Sequence, residues 1–200
     1  PSAWALTTSL SYDNDGGSAI WVPYTEYGVT YSIAKGDMCS FNLPKVSMAD
    51  STNPQLLFSV YATKNDNVKL DIVAMTPDKK ETVLKTLDFS TNQKEGWNRY
   101  QVDLNSVKAA RYAIIKFRAT STGNNSILAL DAIRIFNQYT DNLAANSLVA
   151  PKYVQAGKTA KVNVEIENIG ENEAKDFSVV LYADGKAVDN VKVSDAIAVL

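Results

Sequence analysis

The sequence contains no histidine and a single cysteine, Cys39. Without histidine the chain cannot build a Ser-His-Asp triad or a Cys-His dyad, and one cysteine excludes an intramolecular disulfide. A zinc site made of the usual nitrogen and sulfur ligands is excluded for the same reason. These absences remove the common hydrolase mechanisms, and we expect a chain that is not an enzyme.

The sequence also lacks an excess of charge and a long apolar run. Twenty Lys and Arg residues stand against 22 Asp and Glu residues, which gives a net charge of −2. With no basic block, the electrostatic footprint of a nucleic-acid-binding protein is missing. No apolar run approaches the roughly 18 residues of a membrane-spanning helix, so we expect no membrane insertion within this chain. No signal peptide is recognisable, and the apolar residues 195–200 lead us to expect a fragment of a longer protein.

Alternating hydrophobicity is the main pattern that is present. Residues 56–61 and 68–74 place apolar side chains at every second position, which is typical of strands with one buried face. Clusters of Asp, Asn, Gly and Pro separate such runs and indicate turns. We expect further strands at about 18–24, 27–34, 37–42, 81–89, 97–103, 109–120 and 126–137. Regular short strands of this kind predict an all-β fold, a β-sandwich or jelly roll.

The pattern of apolar and polar residues changes near residues 139–141. This change divides the chain into two predicted domains, 1–139 and 140–200. Residues 161–167 alternate strictly, and the Asp-Gly pair at 184–185 indicates a hairpin turn. About 60 residues is short of the roughly 100 that an immunoglobulin-like sandwich needs. We therefore expect the second domain to be a partial sandwich.

Three segments of the first domain carry a family resemblance. Residues 97–104 (WNRYQVDL), 111–119 (RYAIIKFRA) and 127–135 (ILALDAIRI) resemble the closing half of the MAM-like jelly-roll modules, also called cleaved-adhesin or choice-of-anchor domains. The likeness covers residues 40–139 well and 1–39 loosely. It implies a jelly-roll fold in a secreted or surface protein of bacteria. Ala132 stands where the family often has a second acidic residue, and this departs from the family's metal site.

The second domain resembles a different family. Residues 164–170 (VEIENIG) and 177–185 (FSVVLYADG) are similar to bacterial cell-adhesion-related immunoglobulin-like repeats. A jelly roll followed by such a repeat implies a multidomain protein that is extracellular or attached to the bacterial cell surface.

A calcium site is one candidate for a functional site. Asp13 and Asp15 belong to the run Asp-Asn-Asp-Gly-Gly, and carboxylate and amide oxygens are ligands that Ca²⁺ prefers. The family resemblance implies a structural calcium ion that joins this early loop to Asp131 on the final strand. A polar hairpin turn explains the loop equally well. A buried salt bridge to Arg118 or Arg134 is the alternative for Asp131.

Trp21 and Tyr24 are the candidates for a glycan platform, because sugar-binding modules lay flat aromatic rings against pyranose faces. Alternation puts the two rings on opposite faces of their strand, and core packing is the other explanation for both. For Trp97, which heads an apolar strand, we expect a core position. Glycoside hydrolysis needs two carboxylates facing each other across a cleft. Glu165 and Glu167 are the nearest approach to such a pair, and we expect them to be solvated.

These observations predict a non-catalytic adhesion or binding module of an extracellular protein, with a glycan or a host protein as partner. One alternative is that both domains are accessory parts of a secreted hydrolase whose catalytic domain lies elsewhere. Another is a structural stalk without a ligand.

Overall fold

The protein is described here by a computed structural model. It describes residues 2–12, 17–23, 25–27, 29–30, 32–64, 66–91, 94–123 and 128–200. The chain divides into two compact units, residues 1–137 and 138–200. Among the described residues no helix has the length and hydrophobicity that crossing a bilayer requires.

The first unit is built from antiparallel strands. They are β1 (Ser2–Thr7), β2 (Ser18–Pro23), β3 (Thr25–Glu26), β4 (Val29–Thr30), β5 (Met38–Asn42), β6 (Val46–Ser47), β7 (Pro54–Ala62), β8 (Val68–Met75), β9 (Glu81–Asp88), β10 (Gly96–Asp103), β11 (Tyr112–Ser121) and β12 (Leu128–Asn137). A short 3₁₀ turn, Asn105–Val107, is the one helical element in the described part of the unit.

The strands form two sheets whose order identifies a jelly roll. The first sheet has the order β1-β2-β12-β7-β10, and the second has the order β5-β11-β8-β9 with β6 also paired to β11. From β7 to β12 the chain crosses between the two sheets four times. This is the arrangement of two interlocked Greek keys. The prediction of an all-β jelly-roll fold is confirmed.

The hydrophobic core lies between the two sheets. Leu56, Phe58 and Val60 of β7 are buried and face Ile115 and Phe117 of β11. The rings of Phe58 and Phe117 pack edge to face, with their centroids 5.0 Å apart. Burying one such side chain stabilises the fold by about 1.5–3 kcal/mol, so this row of alternating residues fixes which face of each strand points inward.

Two of the expected strands differ from the structure. The strand expected at 27–34 is only the two-residue β4, which pairs with β3 in a small hairpin. Beyond it, Asp37 accepts a hydrogen bond from the Ala34 backbone N–H (2.8 Å) in a tight turn, which prevents a continuous strand. The strand expected from 109 begins at Tyr112, because the 3₁₀ turn and the residues after it occupy the preceding positions.

The second unit contains two two-stranded sheets. They are β13 (Leu143–Val149) with β14 (Asn163–Asn168), and β15 (Phe177–Ala183) with β16 (Lys186–Val193). Asp184 and Gly185 have φ angles of 49° and 74°. Two consecutive left-handed residues make the tight hairpin turn that the Asp-Gly pair predicts.

This unit has a small buried core. Ile169 is its one buried large apolar side chain, and next to it Asn168 donates to the carbonyl oxygens of Asn172 (2.7 Å) and Ile197 (2.9 Å). Glu167, expected to be solvated, is also buried, because backbone hydrogen bonds from Ile169 and Leu200 close the chain around this end of β14. A groove of about 230 Å³ between the hairpins is lined mainly by Val, Leu and Ala side chains.

Candidate binding face

The two tryptophans considered above occupy opposite faces of the first sheet. Trp21 is 1 % exposed and lies in the core, opposite Trp4 of β1 and Leu128 of β12. The glycan role predicted for Trp21 does not fit this position, because a buried ring offers no face to a sugar. Tyr24, Asp13 and Asp15 lie outside the described residues.

Trp97 is not in the core, contrary to expectation. It is half-buried and points away from the second sheet, because Tyr100 and Val102 occupy the core-facing positions of β10. The sequence carries a signal for this orientation. Trp97 shares its side of the strand with Arg99 and Gln101, and two polar residues in alternation indicate the outer face.

The strand register arranges the outer face of the first sheet in rows. Trp97 lies opposite Tyr61, and Arg99 lies opposite Ser59. On the other side of β7, Ser59 lies opposite Asp131. Three adjacent strands therefore carry polar groups in one row across the sheet: the guanidinium of Arg99, the hydroxyl of Ser59 and the carboxylate of Asp131.

Three aromatic rings meet at the end of this face. Trp97 contacts Tyr61 with ring centroids 5.7 Å apart and Tyr12 with centroids 5.9 Å apart, both close to edge to face. The Arg99 guanidinium carbon lies 5.3 Å from the centre of the Tyr12 ring. Such contacts fix side chains that would otherwise be mobile. We call Tyr12, Tyr61, Trp97 and Arg99 the aromatic–arginine face.

Polar groups extend the face along β10. Gln101 donates from Nε2 to Gln55 Oε1 (3.3 Å), and Gln55 in turn donates to Asn53 and Asp103. The Gln101 Oε1 atom and the Ser59 hydroxyl are buried and have no hydrogen-bond partner among the described residues. Buried polar atoms without a partner are uncommon in folded proteins, and ligand or solvent atoms are their usual partners.

Asp131 joins the early loop to the final strand. It is 8 % exposed, and its Oδ2 accepts a hydrogen bond from the Tyr12 backbone N–H (2.7 Å) while its Oδ1 accepts one from the Ala132 N–H (2.7 Å). Ala132 has a left-handed φ of 48° at a bulge in β12, and this geometry turns its N–H toward the carboxylate. Arg118, one of the proposed partners, forms its ion pair with Glu81 instead.

The same geometry bears on the predicted calcium site. The Asp131 carboxylate accepts a hydrogen bond from the backbone N–H of Tyr12, the residue that directly precedes the Asp13–Asp15 run in the sequence. Among the described residues no three acidic, cysteine or histidine side chains come together as metal ligands. Calcium at Asp131 therefore depends on Asp13 and Asp15 and stays a prediction.

One family model matches the sequence, and the match lies in the second unit. Residues 140–198 match the CARDB family model, that of the cell-adhesion-related immunoglobulin-like domain. No curated protein matches the sequence significantly.

Solved structures resemble the fold at low sequence identity. A carbohydrate-binding module of the β-sandwich superfamily is 12 % identical (TM-score 0.48) and covers 68 % of this chain, which spans 53 % of that one. The K1 cleaved adhesin domain of Lys-gingipain from Porphyromonas gingivalis W83 is 13 % identical (TM-score 0.49), covering 68 % of this chain and 83 % of that one. The glycoside hydrolase domain of Endo-D from Streptococcus pneumoniae R6 is 15 % identical (TM-score 0.51), covering 98 % of this chain and 30 % of that one.

Proposed function

We propose that this chain is a non-catalytic part of an extracellular or cell-surface adhesion protein of bacteria, and that its first unit binds a glycan at the aromatic–arginine face. In this proposal the first unit is a module of the MAM-like, cleaved-adhesin type. The second unit is an immunoglobulin-like spacer.

The grouping of Tyr12, Tyr61, Trp97 and Arg99 is the observation that carries the proposal. Ring faces favour the apolar C–H side of a pyranose, whereas guanidinium and amide groups bond its hydroxyls. Binding sites commonly combine apolar and aromatic surface with a few placed polar groups in this way.

The adhesion setting is supported by the CARDB match of residues 140–198. The non-catalytic part of the proposal is supported by the absence of histidine, which leaves the chain without the base of the common hydrolases. We expect no hydrolysis of peptides, esters or glycosides by this chain, as measured with chromogenic substrates.

An immobilised glycan array tests the proposed site. The parent chain should bind at least one glycan, and Trp97→Ala should weaken that binding at least tenfold, which corresponds to about 1.4 kcal/mol. The matched control is Tyr153→Ala, which removes an aromatic ring that is 84 % exposed in the second unit and should bind like the parent. Near-ultraviolet circular dichroism verifies that each variant is folded.

Three results overturn the proposal. If the parent binds no glycan and no host extracellular protein, the chain is a structural stalk. If it binds a host protein but no glycan, the ligand class is wrong. If Trp97→Ala binds a glycan as the parent does, the site lies elsewhere.

A second candidate is an accessory role in a larger secreted hydrolase. A structural likeness favours it: the resemblance to a glycoside hydrolase domain covers 98 % of this chain and 30 % of that one. The flanking gene sequence tests this candidate, because a Cys-His or paired-carboxylate motif there would supply the catalytic machinery.

A further inference from the structure

A basic groove lies on the first unit at the start of β11, away from the aromatic–arginine face. It has a volume of about 490 Å³ and is lined by Lys45, Ser47, Ala49, Arg111 and Tyr112. This volume is within the range of ligand sites in proteins, roughly 300–1,000 Å³. We propose that the groove binds an acidic polysaccharide, one that carries carboxylate or sulfate groups.

The fold holds the groove in a defined shape. Ser47 of β6 lies opposite Tyr112 of β11. The Met48 N–H donates to the Arg111 carbonyl oxygen (3.3 Å) and ties the two walls together next to the groove. Lys45 Nζ lies over the Tyr112 ring, 4.5 Å from its centre, and this cation–π contact holds the ammonium group at the groove.

The charges of the lining favour an anion. Lys45 and Arg111 are exposed cations, and none of the five lining residues is acidic. The planar guanidinium group of an arginine binds a carboxylate or sulfate through two parallel hydrogen bonds, and the ammonium group of a lysine adds a positive charge. The whole chain has a net charge of −2, so this basic character is local.

The shape and the ring favour a polysaccharide over other anions. The groove is open along the surface, and an open groove can accept the interior of a chain. The half-buried Tyr112 ring, with the Lys45 ammonium group over it, adds apolar surface to the wall next to the charged groups. Nucleic acids favour extended basic surfaces, and the balanced charge of this chain is unsuited to them.

Affinity electrophoresis of the full chain through gels containing a polysaccharide tests the proposal. The probes are heparin for sulfate, polygalacturonate for carboxylate and dextran as the neutral control. We expect retardation by heparin or polygalacturonate, none by dextran, and weaker retardation as salt is added, because salt screens exposed charges. Lys45→Gln/Arg111→Gln should lower the affinity at least tenfold.

The matched control is Lys35→Gln/Lys64→Gln, which removes the same charge from two exposed lysines. Lys35 precedes β5 and Lys64 follows β7, at the end of the sandwich where β11 finishes rather than starts. This control should bind like the parent. Loss of retardation in Trp97→Ala but not in Lys45→Gln/Arg111→Gln would assign the binding to the aromatic–arginine face and overturn this proposal alone.

Four further results overturn the proposal. The first is that neither acidic polymer retards the parent, and the second is that dextran retards it as much as they do. The third is that Lys35→Gln/Lys64→Gln lowers the affinity as much as Lys45→Gln/Arg111→Gln. The fourth is that the parent binds single-stranded DNA as tightly as the acidic polysaccharide.

Discussion

At the scale of single residues, Trp21 and Trp97 should respond very differently to truncation. Trp21 is 1 % exposed in the core, so Trp21→Ala should destabilise the first unit by about 3–5 kcal/mol, the usual loss for a buried aromatic residue. Trp97 is half-buried on the outer face, so Trp97→Ala should lower the free energy of unfolding clearly less than Trp21→Ala does. Urea unfolding followed by far-ultraviolet circular dichroism measures both. Equal losses in the free energy of unfolding would show that the outer face is packed as tightly as the core.

Asp131 should matter through its two backbone hydrogen bonds. Asp131→Asn keeps the shape but turns an amide –NH₂ toward one of the two donating N–H groups, from Tyr12 or Ala132. Leaving one buried group unsatisfied costs about 1–3 kcal/mol, which a urea midpoint detects. A variant as stable as the parent would contradict this role.

The calcium prediction is tested on the same variant. If Ca²⁺ binds only the folded chain, a concentration a hundredfold above Kd stabilises it by about 2.7 kcal/mol. The expected result is a melting temperature that rises with calcium, falls with chelator and loses this response in Asp131→Asn. A calcium response that survives the substitution places the ion elsewhere, and no response in the parent leaves Asp131 as a hydrogen-bond acceptor alone.

What the sequence predicts at this scale depends on side-chain alternation. On β10 the polar residues that alternate with Trp97 mark its outer face, but on β7 alternation does not say which face is inside, because both faces of that strand carry apolar residues. Leu57 lies on the outer face and is nevertheless fully buried. From the sequence alone, the face that carries Leu57 could equally be the one that points into the core. The contact between Tyr12 and Trp97 joins residues 85 positions apart, and no local pattern predicts it.

At the scale of strands, an ion-paired cluster crosses the outer face of the second sheet. Glu81 of β9 accepts from Lys116 Nζ (2.7 Å) and from Arg118, both on β11. The Lys116 and Arg118 hydrogen bonds lower the pKa of Glu81 below its ordinary 4.5. Val73 of the intervening strand β8 lies opposite Lys116 in the register and is fully buried.

The lowered pKa of Glu81 predicts a pH dependence. Because the folded pKa lies below the unfolded one, the stabilisation is complete above the unfolded pKa and is lost as the pH falls through the folded pKa. Glu81→Gln should therefore be less stable than the parent at pH 7, and the difference should shrink as the pH falls through the lowered pKa of Glu81. Melting temperatures at pH 7 and pH 3 measure this.

Glu26→Gln is the control, because it removes an exposed carboxylate that forms no ion pair with any described residue. A Glu81→Gln deficit that persists unchanged at pH 3 would contradict the assignment to the ion pairs.

Strand positions follow closely from the sequence where a strand is long and one of its faces is buried. The strand expected at 81–89 is observed as Glu81–Asp88, and that at 97–103 as Gly96–Asp103. The prediction of a continuous strand at 27–34 is wrong. Tyr and Val favour a strand there, but turns interrupt it, and of its described residues only Val29 and Thr30 pair with β3. Local turn chemistry therefore decides the ends of elements that hydrophobic alternation alone would extend.

At the scale of the whole molecule, the two units should differ in local stability. Strands β7, β8 and β11 are central in their sheets and rich in fully buried residues, whereas Ile169 is the one buried large apolar residue of the second unit. Few buried contacts give a low free energy of local opening. Hydrogen exchange should therefore be slowest in those three strands and much faster in β13 to β16. Similar protection in both units would show that the second one is stabilised by more than its own core.

The position of β12 between β2 and β7 also sets the order in which the first unit assembles. Leu128 must pair with Trp21, more than a hundred residues earlier in the chain. At synthesis rates of 5–20 residues per second, about 5–20 seconds pass on the ribosome between the appearance of the two residues. Until then β1 and β2 form at best a two-stranded hairpin, which is marginally stable in water. The Trp21 ring is thus without its final partners during most of the synthesis of the first unit, and in that interval the β1–β2 hairpin exposes it to chaperones.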